Sequence, residues 1–289
     1  MNNPYPKVNI VVLNYNGKQC LPGCLKSLFQ VDYPNFEIVV VDNNSDDGSL
    51  ELARQSFSRA TFIKNEQNLG FSAGNNVGIK YSLEKMADFV LLLNNDTEVK
   101  KDFLKQLILA TKTNDAGILG ALIFSGNNKD IWFSGGKIDW LRMKALNEQV
   151  LIKNNNNFPD FISGCAMLVR AEVFAKIGLF DEDFFLYWED VDFSVRAKKA
   201  GFALSVVANS HVRHLELSEN KKAKKIYWLV LSGLIFFRKN SEKMLGFWVF
   251  VYTVLRRIKN WNDVRKNKTA INLAVQKAYG DFGKVKCEK

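Results

Sequence analysis

The chain has 289 residues, is 47% hydrophobic and 12% aromatic, and so carries enough apolar material to bury a large core. Its four cysteines, at positions 20, 24, 165 and 287, form no CxxC pair and only two histidines accompany them, which argues against a structural zinc site or a disulfide framework and for reduced, buried thiols. The formal charge of +10 is unevenly placed: of 40 Lys and Arg, 17 fall in residues 215–289, against 6 of the 30 Asp and Glu, so a nearly neutral body precedes a basic, aromatic tail and nucleic-acid binding is the weaker reading of the charge.

The first apolar stretch, VNIVVLNYN, is too short for a secretory signal and ends in polar residues, so the chain is expected on the cytoplasmic side. KVNIVVLNY (7–15) predicts a strand, KQCLPGCLKSLFQ (18–30) a helix and FEIVVVD (36–42) a second strand. DGSLELARQSF (47–57) predicts a helix, ATFIKN (60–65) a strand, SAGNNVGIKYSLEK (72–85) a helix and DFVLLLN (88–94) a strand. The strands are short, rich in Val, Ile and Phe, and apolar on both faces, as strands covered by helices are. The alternating order predicts an α/β fold with a mainly parallel, doubly wound sheet and right-handed crossovers.

Ligands of such sheets bind beyond the carboxyl ends of the strands. Asn14, Asp42 and Asp96 each stand where a predicted strand ends, so three polar residues from distant positions converge on one crevice. Singly, each is a common turn or cap residue. No GxGxxG follows the first strand and no GxxxxGK[ST] occurs, which argues against a dinucleotide-binding dehydrogenase and a P-loop NTPase. Asp42 is suited to accept hydrogen bonds from a base or ribose, and Asp96 to hold a hard divalent cation that neutralises a diphosphate leaving group.

Farther along, LYWEDVDFSVR (186–196) places Glu189 and Asp190 in the first turn of a predicted helix, where acids are favoured by the helix dipole and need no catalytic role. Gly70, Gly74 and Gly78 recur at four-residue spacing. In the tail, IYWLVLSGLIFF (226–237) and MLGFWVFVYTVL (244–255) are shorter than the ~20 apolar residues that a membrane span needs. They suit interfacial helices that set a basic face on anionic lipid headgroups, with packing of aromatic helices on the sheet as the alternative.

VVLNYNG (11–17), VVVDNNSDDGS (39–49), NLGFSAGNNVGI (68–79), LLLNNDTEV (91–99), SGCAMLVRAEVFAKIGLFDEDFFLYWEDVDFSVRAKKAGF (163–202) and HLELS (214–218) resemble, in order, the motifs of family-2 inverting glycosyltransferases. The nearest resemblance is to the bacterial rhamnosyltransferase-like branch that builds cell-surface polysaccharides. The resemblance implies a GT-A fold, a nucleoside-diphosphate sugar donor, and Mg²⁺ or Mn²⁺ as cofactor. Where the family often reads Asp-x-Asp, this chain has Asn94-Asn95-Asp96, so the first carboxylate is missing and Asp96 is the implied metal ligand, with His214 completing the site. His211 is left as a surface or packing residue. Asn14, Asp42, Asn68, Gly70, Asn75 and Asn95 fall on the donor side.

By the same matching, Asp190 is the catalytic base of a single in-line displacement that inverts the anomeric carbon, and Glu189 and Trp188 lie on the acceptor side, where Trp188 either stacks on a sugar face or fills the core. Gly70, Gly74 and Gly78 are either a donor-side loop feeding a helix, the reading adopted, or a small-residue helix face. Carboxylate neighbours such as Glu189 and Asp192 are expected to raise the pKa of Asp190. An Arg-Asn pair that the family often shows in the first tail segment is replaced by Leu231-Ser232, which removes or alters its contribution. The expected organisation is a glycosyltransferase domain over 1–218, with a donor half at 1–100 and an acceptor half at 120–218, and a helical extension over 219–289. Its expected partners are dTDP-rhamnose or a UDP-sugar, a glycan or lipid-linked acceptor, and the inner face of the cell membrane. A nucleotidyltransferase would show a Gly-rich phosphate loop that LNYNGKQCLPG lacks, and a non-catalytic sugar- or lipid-binding protein would share the fold without turnover.

Overall fold

Strand β1 (Val8–Asn14) is the centre of the N-terminal part of the sheet: it is apolar and almost wholly buried, as a strand covered on both faces must be. The computed structural model describes residues 5–113, 115–127, 129–150, 158–216 and 222–285. In it β1 pairs in parallel with β2 (Phe36–Asp42) and with β4 (Phe89–Asn94), and β3 (Thr61–Lys64) extends the sheet beyond β2. The crossovers are α1 (Leu21–Leu28), α2 (Ser49–Ser56) and α3 (Gly70–Glu84). Each corresponds to a predicted segment. Helix α1 starts later than its segment because Pro22 sits in its first turn, where a missing N–H costs nothing.

The second half adds β5 (Thr97–Val99), α4 (Phe103–Thr113), β6 (Ala116–Ser125), β7 (Ile131–Phe133), β8 (Gly136–Asp139) and β9 (Lys144–Asn147). It continues with β10 (Ala166–Arg170), α5 (Ala171–Ile177), α6 (Glu189–Lys199) and β11 (Ala203–His214). The main sheet runs β3-β2-β1-β4-β10-β6-β11-β5 with β7 beside β6, and β8–β9 form a separate hairpin. Strand β10 is antiparallel to both neighbours and β5 is antiparallel to β11, so the sheet is parallel from β3 to β4 and mixed beyond it. A register shift between Val207 and His211 precedes the last stretch of β11, whose Val212, Arg213 and His214 pair with Val99, Glu98 and Thr97.

Helix α3 lies close on the sheet because its glycines allow it. A Cβ at Gly78 would stand 2.4 Å from Val11 Cγ1, and one at Gly74 would stand 2.7 Å from Leu13 Cδ1. These two positions form the small-residue helix face, which corrects the donor-loop reading for them. Gly70, at φ +81°, remains the junction where the loop enters the helix, and a Cβ there would strike the Phe185 carbonyl oxygen at 2.5 Å.

The tail forms α7 (Lys222–Asn240), α8 (Lys243–Lys266) and α9 (Ala270–Phe282), the last without a counterpart among the predicted apolar runs. Among the described residues no helix is long and apolar enough to cross a membrane. Leu231 and Ser232 are buried, and Ser232 donates to the Leu186 carbonyl at 2.8 Å, so the position at which the sequence departs from the Arg-Asn pattern ties α7 to the segment before α6. Cys20, Cys24 and Cys165 are free and buried, and burial pushes the thiols of Cys20 and Cys24 up to about 11 and about 12. Cys287, residues 217 and 218 of the HLELS motif, and the boundary expected at 218/219 lie outside the described residues.

Two glycine substitutions should move stability in opposite directions. Gly78→Ala overpacks the interface between α3 and β1 and should cost about 1–3 kcal/mol. Gly280→Ala, in α9 with nothing within 4 Å of the added Cβ, should gain up to about 1 kcal/mol from helix propensity. Urea unfolding of both variants measures the two signs.

Candidate active site

Register makes the strand ends level. Asn14 lies opposite Asp42, and Leu13 opposite Asn94. The wholly buried Asn14 amide donates to Asp42 Oδ1 at 2.7 Å and to Ser49 Oγ at 2.9 Å, and its carbonyl oxygen accepts from Asn95 Nδ2 at 3.0 Å. Asp42, also wholly buried, accepts from the Ser45 hydroxyl at 2.6 Å and the Ser45 N–H at 2.9 Å. Both of its oxygens are thus taken by the protein. It shapes the crevice from beneath, instead of presenting a free carboxylate to a base or ribose. A Cβ on Gly17 would lie 2.3 Å from Asn14 Oδ1 and 2.4 Å from Asn95 Nδ2, so only glycine leaves room for that hydrogen bond.

Asn68 Oδ1 accepts from Gly70 N at 2.9 Å and from Asn43 Nδ2 at 3.3 Å, fixing the entry into α3. Asn43, which sequence reasoning did not single out, also donates to Gly70 O at 2.8 Å and accepts from Asn65 at 2.8 Å, joining the ends of β2 and β3 to α3. Asn75 is turned into its own helix, donating to Phe71 O one turn back at 2.9 Å. Its neighbour Asn76 holds the backbone of Phe180 from both sides, donating to the carbonyl at 2.9 Å and accepting from the N–H at 3.1 Å. Its signal in the sequence was the doubled asparagine, Asn75-Asn76, inside a predicted helix.

Pairing of β11 with β5 delivers His214 to Asp96. The imidazole Nε2 stands 3.2 Å from Asp96 Oδ1, and Leu215 N donates to Asp96 O at 2.8 Å. Trp132 packs edge-on against the His214 ring at 4.6 Å and donates its Nε1–H to Glu216 Oε1 at 2.8 Å, two further residues that the motif analysis missed. His211 instead meets the Lys100 ammonium at 2.7 Å, and burial followed by that charge lowers its pKa.

Among the described residues no group of three or more His, Cys, Asp and Glu side chains could hold a metal alone. One carboxylate oxygen and one imidazole nitrogen 3.2 Å apart nevertheless fit a cation such as Mn²⁺ that takes its other ligands from water and phosphate oxygens. His214 Nδ1 is buried with no hydrogen-bond partner among the described residues, so the Asp96 carboxylate, which only accepts, favours the ring proton on Nε2. A cation held between the two would take the Nε2 lone pair and leave the proton on Nδ1.

Helix α6 begins from a strained turn: Tyr187 and Trp188 have φ of 67° and 70°, left-handed values that side chains other than Gly, Asn and Asp seldom adopt. Asp190 Oδ2 accepts from Gly164 N at 2.9 Å, and the next residue's carbonyl, of Cys165, accepts from Asn94 N at 3.0 Å. The carboxylate of α6 is therefore anchored beside the end of β4. Burial pushes the Asp190 carboxyl up, against the pull of the N–H groups of Gly164 and Val191. Glu189 is pushed well above the usual range by burial first and by Asp190 second, and its Oε2 is buried without a hydrogen-bond partner among the described residues. Burial is what raises Asp190, in place of the contribution expected from Glu189 and Asp192. Asp192 is paired with Arg196 at 2.7 Å and accepts from Asn240 at 2.8 Å, which fastens α6 to α7.

Trp188 belongs to the core. Its ring stacks on Phe236 at 5.0 Å, its edge meets Phe237 at 5.2 Å, and its Nε1–H donates to Leu229 O at 3.0 Å. This corrects the sugar-stacking alternative, because α7 covers the indole.

The raised pKa of Glu189 makes stability fall with pH. Between the ordinary carboxylate range and the raised folded-state value, the folded protein holds a proton that the unfolded chain has lost, so stabilisation present at low pH disappears as pH rises. Glu189→Gln lacks this loss. Thermal unfolding from pH 4 to 8 should show the melting temperature of Glu189→Gln rising relative to that of the native protein as pH increases, and a constant difference would contradict the burial argument.

Comparison with known proteins bears on these features. Residues 9–178, more than half of the chain, match glycosyl transferase family 2. The low-salt glycan biosynthesis hexosyltransferase Agl10 of Haloferax volcanii is 31% identical over 196 residues, covering 66% of this chain and 62% of Agl10, so the chain spans less than two thirds of that relative. The dTDP-rhamnosyl transferase RfbF of Shigella flexneri is 23% identical over 247 residues, covering 81% of each chain. In fold, the chain is similar to the mannosyltransferase PcManGT from Pyrobaculum calidifontis, solved in complex with GDP-Man and Mn²⁺, with a TM-score of 0.61 at 12% identity over 97% of this chain and 86% of that one. The chain therefore belongs to glycosyl transferase family 2 and has the GT-A fold.

Proposed function

We propose that the protein transfers a hexosyl group from a nucleoside-diphosphate sugar to a glycan or lipid-linked acceptor in cell-surface polysaccharide biosynthesis, with inversion at the anomeric carbon. The observation that carries this reading is the Gly164–Asp190 hydrogen bond of 2.9 Å, which sets a carboxylate beside the end of β4, just ahead of Asp96 in the chain. Proton acceptor and leaving-group site then share one crevice. Residues 1–100 form the donor half, 120–218 the acceptor half and 219–289 the extension. The similarity to a dTDP-rhamnosyl transferase supports dTDP-rhamnose as first choice, with UDP-galactose, UDP-glucose and other donors as alternatives.

In this mechanism the acceptor oxygen forms a bond to the anomeric carbon as the bond from that carbon to the diphosphate breaks, and the acceptor proton passes to Asp190. The two N–H groups on Asp190 hold its carboxylate in place for the transfer. Glu189, kept towards its neutral form by burial, orients the acceptor as a hydrogen-bond donor. The chain of hydrogen bonds from Asn95 through Asn14 to Asp42, with Asn68 and Gly70, shapes the donor side. Asp96 and His214 would hold Mg²⁺ or Mn²⁺, which when bound supplies positive charge for the departing diphosphate.

The extension also lies against a membrane surface in this reading. Helix α8 turns Met244, Phe247, Val254, Ile258 and Trp261 outward, with Met244 90% and Phe247 72% exposed, and Arg257 and Lys259 flank that apolar face.

Calorimetry of nucleoside diphosphates and their sugars, with and without Mn²⁺, tests the donor. Metal-enhanced binding of dTDP or UDP compounds is expected in the native protein and should be lost in Asp96→Asn. Asp190→Asn should bind donor normally while transfer falls about 10²–10⁴-fold; undiminished transfer would remove Asp190 as the base. On anionic liposomes, Phe247→Glu with Ile258→Glu should release the protein, and retention would move the membrane contact elsewhere.

A further inference from the structure

A cavity of about 350 Å³ lies between the β8–β9 hairpin and helices α7, α8 and α9, and nothing in the transfer chemistry above accounts for it. Its walls include Leu234, Phe237 and Tyr252, and Trp188 reaches it from the turn that presents Asp190. Arg142 and Lys144 of the hairpin and Arg256 of α8 also line it, and no carboxylate does. We propose that this cavity binds the diphosphate head and first chain segment of a lipid diphosphate, the carrier of the acceptor sugar, a reading that rests on the glycosyl transfer proposed above.

Charge and shape point to that class together. An anionic head would meet the three exposed cations at the rim, and a chain segment would cover an aromatic wall that a free anion leaves open to water. Asp139 stands 3.7 Å from Arg142 and answers part of its charge. Lys144 and Arg256 then match the two negative charges of a diphosphodiester better than the single charge of a phospholipid headgroup. The cavity is near the lower end of the range for small-molecule sites, about 300–1,000 Å³, so a long chain must continue outside it. Next to it stands α8, whose outward face is apolar. Trp248 of α8 donates to the Leu141 carbonyl at 2.9 Å, which holds the hairpin that carries two of the cations against that helix.

The test uses the full-length protein and farnesyl diphosphate as a soluble probe, with farnesol, inorganic diphosphate and short-chain phosphatidylglycerol as comparators, each titrated by calorimetry in the presence of saturating nucleoside diphosphate. Farnesyl diphosphate is expected to bind more tightly than every comparator. Lys144→Glu with Arg256→Glu, both exposed side chains, should weaken that binding by about tenfold or more, as expected for lost charge-assisted contacts, and leave nucleotide binding unchanged. Leu229→Glu, at the exposed wall, should weaken farnesyl diphosphate binding without reversing a charge.

Binding undiminished in the charge-reversed variant, abolished by nucleoside diphosphate, or matched by phosphatidylglycerol would overturn the proposal, the last result assigning the groove to membrane lipid. Nucleotide binding without farnesyl diphosphate binding would refute this inference alone. Farnesyl diphosphate binding without any nucleotide binding would refute the transferase reading and leave the lipid diphosphate site standing.

Discussion

Level strand ends are the constraint on which the site depends. Parallel pairing sets Asn14 beside Asp42 and brings Asn94 to the same edge, and the Asn95–Asn14–Asp42 chain of hydrogen bonds then locks three loops to one another. A buried carboxylate is expensive unless its oxygens are satisfied. Asp42 is satisfied by groups from β1 and from its own following loop, so its desolvation is offset only when that loop is folded. Gly17 leaves open the space this arrangement needs.

The surroundings of Asp190 are built by a different device. There, antiparallel β10 brings Gly164 and Cys165 up to β4, and Asp190 is pinned to the backbone just outside that strand. Beside it Glu189 shares a low-dielectric pocket, where two ionised carboxylates would repel each other strongly. The two acids at the start of α6 therefore have different chemistry: Asp190 is held by N–H donors, and Glu189 is pressed towards its protonated form by burial. Asp192, three positions beyond Glu189, has become a structural anchor through Arg196 and Asn240.

Periodicity carried most of the N-terminal part of the fold. The alternation of strands and helices up to residue 94 was legible because the strands hold apolar runs and α1 and α2 have a distinct apolar stripe, whereas the buried face of α3 is largely Gly, Ser and Asn. The nearness of Asp96 to His214 was legible only through the order of motifs, since the β5–β11 pairing that creates it joins residues more than a hundred positions apart. Local pattern could not assign Asp42, whose type suits a ligand contact and whose surroundings absorb it. Nor could it separate a sugar platform from a core residue at Trp188, because that choice is made by α7. Asn43, Asn76 and Trp132 escaped notice for the same reason: asparagine reads as turn and tryptophan as core until the partner strand or loop is in place.

The left-handed pair Tyr187-Trp188 also bears on when the molecule acquires its reactive arrangement. Neither residue is a glycine, so the turn has little preference for this shape and is held by what packs on it. Trp188 is clamped by Phe236, Phe237 and the Leu229 carbonyl, and Leu186 by Ser232, all of them in α7. During synthesis from the N-terminus the level strand ends can assemble well before α7 has emerged. The turn that carries Asp190 is completed afterwards, so a nascent chain can level its strand ends while the carboxylate proposed to take the proton is still unaimed, and under that proposal reactivity arrives with the docking of a helix that contributes no reacting group.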